Sequence, residues 1–331
     1  MMSSLKSHYQ TTIDKAISFV GIGVHSGEVA ILKLKPTTMT RGIVFRRMDV
    51  SPDKREILAR QYNVSSTTLS TTLTNDYGTS VSTVEHLMAA LYGCGIDNVI
   101  VEVDGPEIPI LDGSARDFVV NIEQAGVRYL EKERSVLWVQ RKVEVVDGDK
   151  SAMFLPSFSQ SFSVSLDFPG TAIGQQAFRY DSSSLGFKQQ VANARTFGFA
   201  EQVEALKAAG FAKGGLLSNA ILVDKEKVVN PEQLRYKTEF ARHKVLDAMG
   251  DLALSGYPII ADYHSHKGGH DLNHKLVTKL MADQRNWRLM TYTEYADLVG
   301  PQFIASSKSA HKTGEISFSH DALAHARLKE G

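Results

Sequence analysis

The run FARHKVLDAMGD, residues 240–251, carries residue types that can bind a cation or pass a proton. His243 and Asp247 are four apart and Asp251 four further on, so on a helix they form one stripe. Val245, Leu246, Ala248, Met249, Leu252 and Ala253 recur at helical spacing. The expected element is a helix with an apolar face and a His/Asp/Asp stripe opposite. An imidazole and a carboxylate one turn apart can grip one cation, and a second carboxylate can orient a neighbour. The same spacing suits a surface helix with a solvated polar face.

Two further groups carry chemistry. His264, His266, His270 and His274 crowd one loop region, which invites a metal site. His264 and His266 follow a strand-like run whose alternation can turn both outward. His270 follows Gly268-Gly269, a pair that lets the backbone come close to another group, and Asp271 and Asn273 open the next helix. One functional histidine, His270, is favoured over a four-histidine cage. Glu85-His86 stands at a helix start. Glu85 fits a capping box with Ser82 and His86 a buried histidine; alternatively His86 binds a metal with Glu85 as the base beside it. HExxH is absent.

The elements that must position these groups fall into two runs. Strand-like segments (GEVAILKLKP, GIVFRRMDV and the Thr-rich SSTTLSTTLTN) precede a helix from about Ser82, a strand NVIVEV, the loop GPEIPILDGSA and a second helix. After the charged break EKERS, strands recur over VLWVQRKVEVV, AMFLPS and FSVSLDF. The boundaries are set at 1–131 and 136–305, with an insertion over about 197–235 and a loosely ordered tail over 306–331. Both halves run strands first and then helix, as a duplicated α+β unit does, without a letter-by-letter repeat.

Composition narrows the class. The 331 residues suffice for two domains, and 43% hydrophobic with 22% charged residues fits a globular protein. Lys+Arg and Asp+Glu number 37 each, so no global charge points to nucleic acid. The single cysteine, Cys94, excludes an intrachain disulfide and a multi-cysteine zinc site. No apolar run reaches signal-peptide or membrane-spanning length, and a cytoplasmic protein is expected.

Four motifs, in order, are STVEHLMAALYGCGIDNVIVEVDGPEIPILDGSA, ARTFGF, FARHKVLDAMGDL and GGHDLNHKL. Together with VGIGVHSG they resemble the UDP-3-O-acyl-N-acetylglucosamine deacetylases, zinc amidases of lipid A synthesis, from about Thr12 to Leu298. The resemblance implies two similar two-layer α+β sandwich domains packed face to face, with a βαβ insert in the second. By motif position it implies one Zn2+ per chain held by His86, His243 and Asp247, a site Fe2+ can also occupy. It implies Glu85 as general base, His270 as the charged histidine assisting the departing amine, Asp251 as its partner and Thr196 at the oxyanion. It assigns substrate contacts to Lys244, Asp167 and Phe168 (uracil), to Lys150 and Lys267 (diphosphate), and to Phe197, Val203, Ala212, Leu217 and Ala220 (acyl passage).

The implied substrate is an acylated UDP-sugar and the reaction loss of its 2-acetyl group. A monomer with at most transient membrane-surface contact is expected. Three departures stand out: PGTAIGQQ after Phe168 is short and lacks His-Pro, Lys213 replaces an apolar residue, and Asp271 replaces a small one. They suggest, as an alternative, an amidase acting on a different acylated nucleotide sugar; a catalytically silent lipid- or nucleotide-binding homologue is the alternative from another class, and retention of Glu85, His86, His243, Asp247 and His270 argues against it.

Overall fold

Alternation builds the first sheet. In the strand Val29–Lys35 the residues Ala30, Leu32 and Leu34 are buried while Val29, Ile31 and Lys33 face out, the two-residue period of a strand with one face on a core. The computed structural model describes residues 8–182 and 186–300. The tail expected over 306–331 lies outside them.

The five-stranded N-terminal sheet runs in the order Ile17–Ile22, Val29–Lys35, Val99–Asp104, Ile43–Arg47, Glu56–Leu58. Only Ile43–Arg47 and Val99–Asp104 pair in parallel. The second sheet runs Val143–Asp147, Lys150–Leu155, Asp262–His266, Ser161–Phe168, Gly174–Asp181, and again a single pair, Ser161–Phe168 with Asp262–His266, is parallel. In each sheet the last strand in sequence sits in the middle.

Helices α1 (Glu85–Gly93) and α2 (Arg116–Ala125) flank the last strand of the first sheet. A small unit comes after the second sheet's first four strands. Phe197–Phe199 pairs in parallel with Ile221–Asp224, α3 (Val203–Ala208) lies between them in sequence, and Lys227–Val228 adds a third strand. Helices α4 (Glu239–Ala253) and α5 (His270–Ala282) then flank Asp262–His266 as α1 and α2 flank Val99–Asp104. The fold is a duplicated α+β arrangement with a βαβ insert in the second copy, the class the sequence predicts. One apolar core runs from Leu32 and Val101 through Leu87 and Leu246 to Leu276.

One alternative is excluded and one local expectation corrected. Helix α4 is not a surface helix with its stripe in water: every residue except Arg242 and Lys244 is buried. It packs against α1, itself buried from Glu85 to Leu91, so the His/Asp/Asp stripe faces the interior. The Ser82–Glu85 capping box does not form. Thr83 takes a left-handed φ of 58°, which adds a turn before the helix. Ser82 then bonds through both N–H and hydroxyl to the Pro106 carbonyl, and Val84 becomes the N-cap. The run EKERS is the end of one strand and the start of the next, with Arg134 buried between them against Asp97.

Candidate active site

Helix α1 contributes Glu85 and His86 from its first turn, and α4 contributes His243, Asp247 and Asp251 from three successive turns. The approach of the two helices depends on Gly250, where a Cβ would sit 2.0 Å from the Glu85 carbonyl oxygen. The entry to α1 is fixed by Glu107, which accepts from the Thr83 hydroxyl at 3.0 Å and from the N–H groups of His25 and Ser26 at 2.9 and 2.8 Å. A left-handed β-branched residue is costly, and the buried carboxylate offsets part of that cost while tying VGIGVHSG to the turn before Glu85.

His86 and His243 converge with ring centroids 4.9 Å apart and planes at 87°. Their Nε2 atoms lie 3.5 and 3.2 Å from the same oxygen, Asp247 Oδ1. One ligand atom from each of the three residues falls within 4.8 Å of the others. The Ala194 carbonyl lies 3.0 Å from His243 Nδ1; a proton held there leaves the Nε2 lone pair facing the cluster. Asp247 Oδ2 accepts from Lys244 Nζ at 2.9 Å, but Asp247 Oδ1 is buried with no hydrogen-bond partner among the described residues. An unmatched buried carboxylate oxygen is expensive in a protein. A divalent cation between two imidazoles and that oxygen removes the cost, so the donor set fits one. The charges agree: burial opposes ionisation of Asp247, but His243 and Lys244 hold it well below the usual carboxylate range. Burial also pushes His86 down, toward the neutral ligand form.

Beside the cluster lies a carboxylate–imidazole pair. His270 opens α5 and its Nδ1 sits 2.8 Å from Asp251 Oδ2, while its Nε2 points toward Glu85 Oε1 at 3.9 Å. Burial disfavours charge on His270, yet Asp251 and then Glu85 outweigh it and lift the imidazolium to about 9. Burial pushes Glu85 up to about 7, with Asp251 and Asp247 adding and His270 opposing. A cation bound alongside draws Glu85 back down. Asp251 also accepts from Asn273 Nδ2 at 2.8 Å and from the Thr71 hydroxyl at 2.6 Å.

The other sequence-derived positions distribute around this centre. Thr196 follows two residues after Ala194, its backbone bonded to Gly113 and Ile221. The segment is locked to α4 by the buried Arg195–Glu239 pair, 2.9 Å apart. Phe197 lies edge-on to Phe240 and His243, with Lys244 Nζ 5.4 Å from its ring centre. Phe168 packs on Phe199 at 5.5 Å, and Lys267 bridges Asp149 and Asp167 at 2.9 and 3.4 Å. Lys150 is exposed next to Asp149.

Within the insert, Val203 and Ala220 are half-buried and Leu217 is exposed. Ala212, at φ 52°, donates its N–H to His25 Nδ1 at 3.4 Å. His264 and His266 lie in the strand Asp262–His266, His266 bonded to Ser165, and neither joins the cluster. Of the departures, Lys213 is exposed and donates its N–H to the His25 carbonyl. Asp271 pairs with Lys275 at 2.6 Å on the outer side of α5. The short turn after Phe168 is tied to the insert through Ala172 N–H and the Lys225 carbonyl. Sequence reasoning missed Thr71, Arg195, Glu239 and Glu107; each works through a contact distant in sequence, and no local pattern marks it.

A buried cluster fit for a cation, set beside a carboxylate–imidazole pair on a duplicated α+β scaffold, is the layout of an enzyme site. Residues 10–282 match the UDP-3-O-acyl N-acetylglycosamine deacetylase family, and the chain belongs to it. Proteins called UDP-3-O-acyl-N-acetylglucosamine deacetylase are similar over most of the chain. The protein of Campylobacter fetus subsp. fetus is 42% identical over 285 residues, 86% of this chain and 96% of the relative. That of Geobacter sp. (strain M21) is 46% identical, covering 87% and 94%. That of Anaeromyxobacter dehalogenans is 47% identical, covering 88% and 94%. Among the described residues no helix is long and apolar enough to cross a membrane.

Proposed function

We propose that this protein removes the acetyl group from the 2-acetamido nitrogen of a UDP-3-O-acyl-N-acetylglucosamine by metal-assisted hydrolysis, releasing acetate and the free amine. The observation that carries the reading is the convergence of His86, His243 and the unpartnered Asp247 oxygen next to Glu85 and His270. His86, His243 and Asp247 would hold the cation, with zinc the first choice for two imidazoles and a carboxylate. When bound, it supplies Lewis acidity for the amide carbonyl and a lowered pKa for the attacking water. Glu85 accepts the proton of that water. His270, kept as imidazolium by Asp251, stabilises charge and protonates the leaving nitrogen. Thr196 donates to the developing oxyanion in this reading. Lys244 neutralises the second Asp247 oxygen and presents positive charge beside the Phe197 ring.

The remaining roles follow the same reading. Asp167 and Phe168 take the uracil, with Lys267 and Lys150 near the diphosphate. Phe197, Val203, Ala212, Leu217 and Ala220 line the acyl chain. The reading places the reaction in lipid A biosynthesis in the cytoplasm and the enzyme as a monomer. Incubation of the zinc-loaded protein with the acylated UDP-sugar, followed by mass spectrometry, should show acetate and a product lighter by one acetyl group. An intact substrate after prolonged incubation with metal-replete protein rejects the reading.

A further inference from the structure

Thr71 touches both Glu85 and Asp251 and is itself 2% exposed. Its N–H donates to Glu85 Oε2 at 3.0 Å, its carbonyl accepts from the N–H of Val84, the N-cap of α1, and its hydroxyl donates to Asp251 Oδ1 at 2.6 Å. Every polar group of the residue is thereby spent on α1 or α4. Leu69, two residues before, takes a left-handed φ of 64°, a conformation uncommon for a branched side chain. The result is one hydrogen-bonded chain, Glu85–Thr71–Asp251–His270, joining groups from α1, α4 and α5.

We propose that Thr71 is a positioning residue that sets Glu85 and His270 relative to each other. Its N–H engages Glu85 Oε2, so Oε1 is the oxygen that faces His270. Its hydroxyl completes the donors of Asp251, whose other oxygen already serves His270 Nδ1 and Asn273 Nδ2. A buried carboxylate with a donor on each oxygen has one orientation; with one oxygen unmatched, it turns to find another donor and takes the imidazole with it. The groups that bind a cation are not touched by Thr71, so the effect belongs to turnover and not to metal uptake.

This assignment rests on the proposed hydrolysis, and the test separates the two. Steady-state deacetylation is measured for the wild type, Thr71→Val, Thr71→Ser and Asp251→Asn, and for Thr71→Val combined with Asp251→Asn, with metal content and Tm recorded for each. Thr71→Val should lower kcat about 10- to 100-fold, the size of one lost hydrogen bond to a charged group, with KM and metal content kept. Thr71→Ser should restore most of kcat. In the Asp251→Asn background Thr71→Val should cost little more, because both changes break the same chain. Thr71→Ala carries the same comparison if Thr71→Val does not fold. An active wild type with kcat unchanged in Thr71→Val, no rescue by Thr71→Ser, or a loss that adds fully to that of Asp251→Asn overturns the assignment while the hydrolysis stands. A wild type that releases no acetate overturns both.

Discussion

Glu85 Oε1 and His270 Nε2 stand 3.9 Å apart, too far for a hydrogen bond, and in the proposed hydrolysis each acts in the opposite protonation state. If Glu85 is the base and His270 the acid, as proposed, kcat/KM against pH should be bell-shaped, its two apparent values belonging to the coupled pair. The alkaline limb should fall near the value of about 9 that Asp251 and Glu85 impose on His270 against its burial. The acid limb should fall at or below the value of about 7 that burial gives Glu85. Asp251→Asn removes the charge that favours the imidazolium, so the alkaline limb should move to lower pH; the same charge helps to raise Glu85, so the acid limb should move the same way by less. An unshifted alkaline limb would show that Asp251 does not tune His270. Single substitutions separate binding from chemistry. Asp247→Ala should lose both bound metal and activity. Glu85→Ala should keep the metal and lose turnover by roughly 100- to 10,000-fold, checked by metal analysis beside single-turnover rates. The spacing of His243, Asp247 and Asp251 was legible because one helical turn is a local property. Thr71 was not, since its partners lie 14 and 180 positions away.

At the scale of elements, the closest backbone approach of α1 and α4 is at Gly250, over the Glu85 carbonyl. Gly250 is mid-helix, where alanine ordinarily stabilises by about 1 kcal/mol. Here the sign should reverse, because the added methyl meets the Glu85 carbonyl at 2.0 Å and backbone cannot move aside alone. Gly250→Ala should destabilise by about 1–3 kcal/mol or more and weaken metal binding by displacing His86. Thermal melts and a metal titration decide it; a variant as stable as the parent with full metal content would contradict the packing. The sequence marked this stretch as a helix correctly, but not its surroundings. Its charged stripe reads as a solvated face until a second buried helix, itself apolar nearly all round, is brought against it. The failed capping box at Ser82 has a similar origin: the pattern is present, but Glu107 stabilises a left-handed Thr83 that takes Ser82 away from the helix.

For the whole molecule, the cluster draws one ligand from the first half of the chain and two from the second, so a bound cation cross-links them. Binding to the folded state alone stabilises it by about 2.7 kcal/mol at a hundredfold excess over Kd. Chelation should therefore lower Tm by several degrees, and Asp247→Ala should show no chelator-dependent shift. A wild-type Tm insensitive to chelator would argue that no cation bridges the halves. Most strands and helices of each half were readable from alternation and turn residues, but not the edge strands Glu56–Leu58 and Gly174–Asp181; the shared strand order was not readable, because pairing partners leave no letter repeat. That shared order also lets the two halves be matched position by position. The helix preceding the central strand bears a histidine in both copies, His86 and His243, and a glycine seven positions on in both, Gly93 and Gly250. Counting from those histidines, Glu85 corresponds to Arg242, Asp247 to Ala90 and Asp251 to Cys94. The matched pair brings a histidine from each copy to one cluster, while the mismatched positions give the copies different groups, Glu85 in the first and Asp247 and Asp251 in the second. Two copies of one arrangement in a single chain can thus differ side chain by side chain at the point where they meet, which two identical chains cannot.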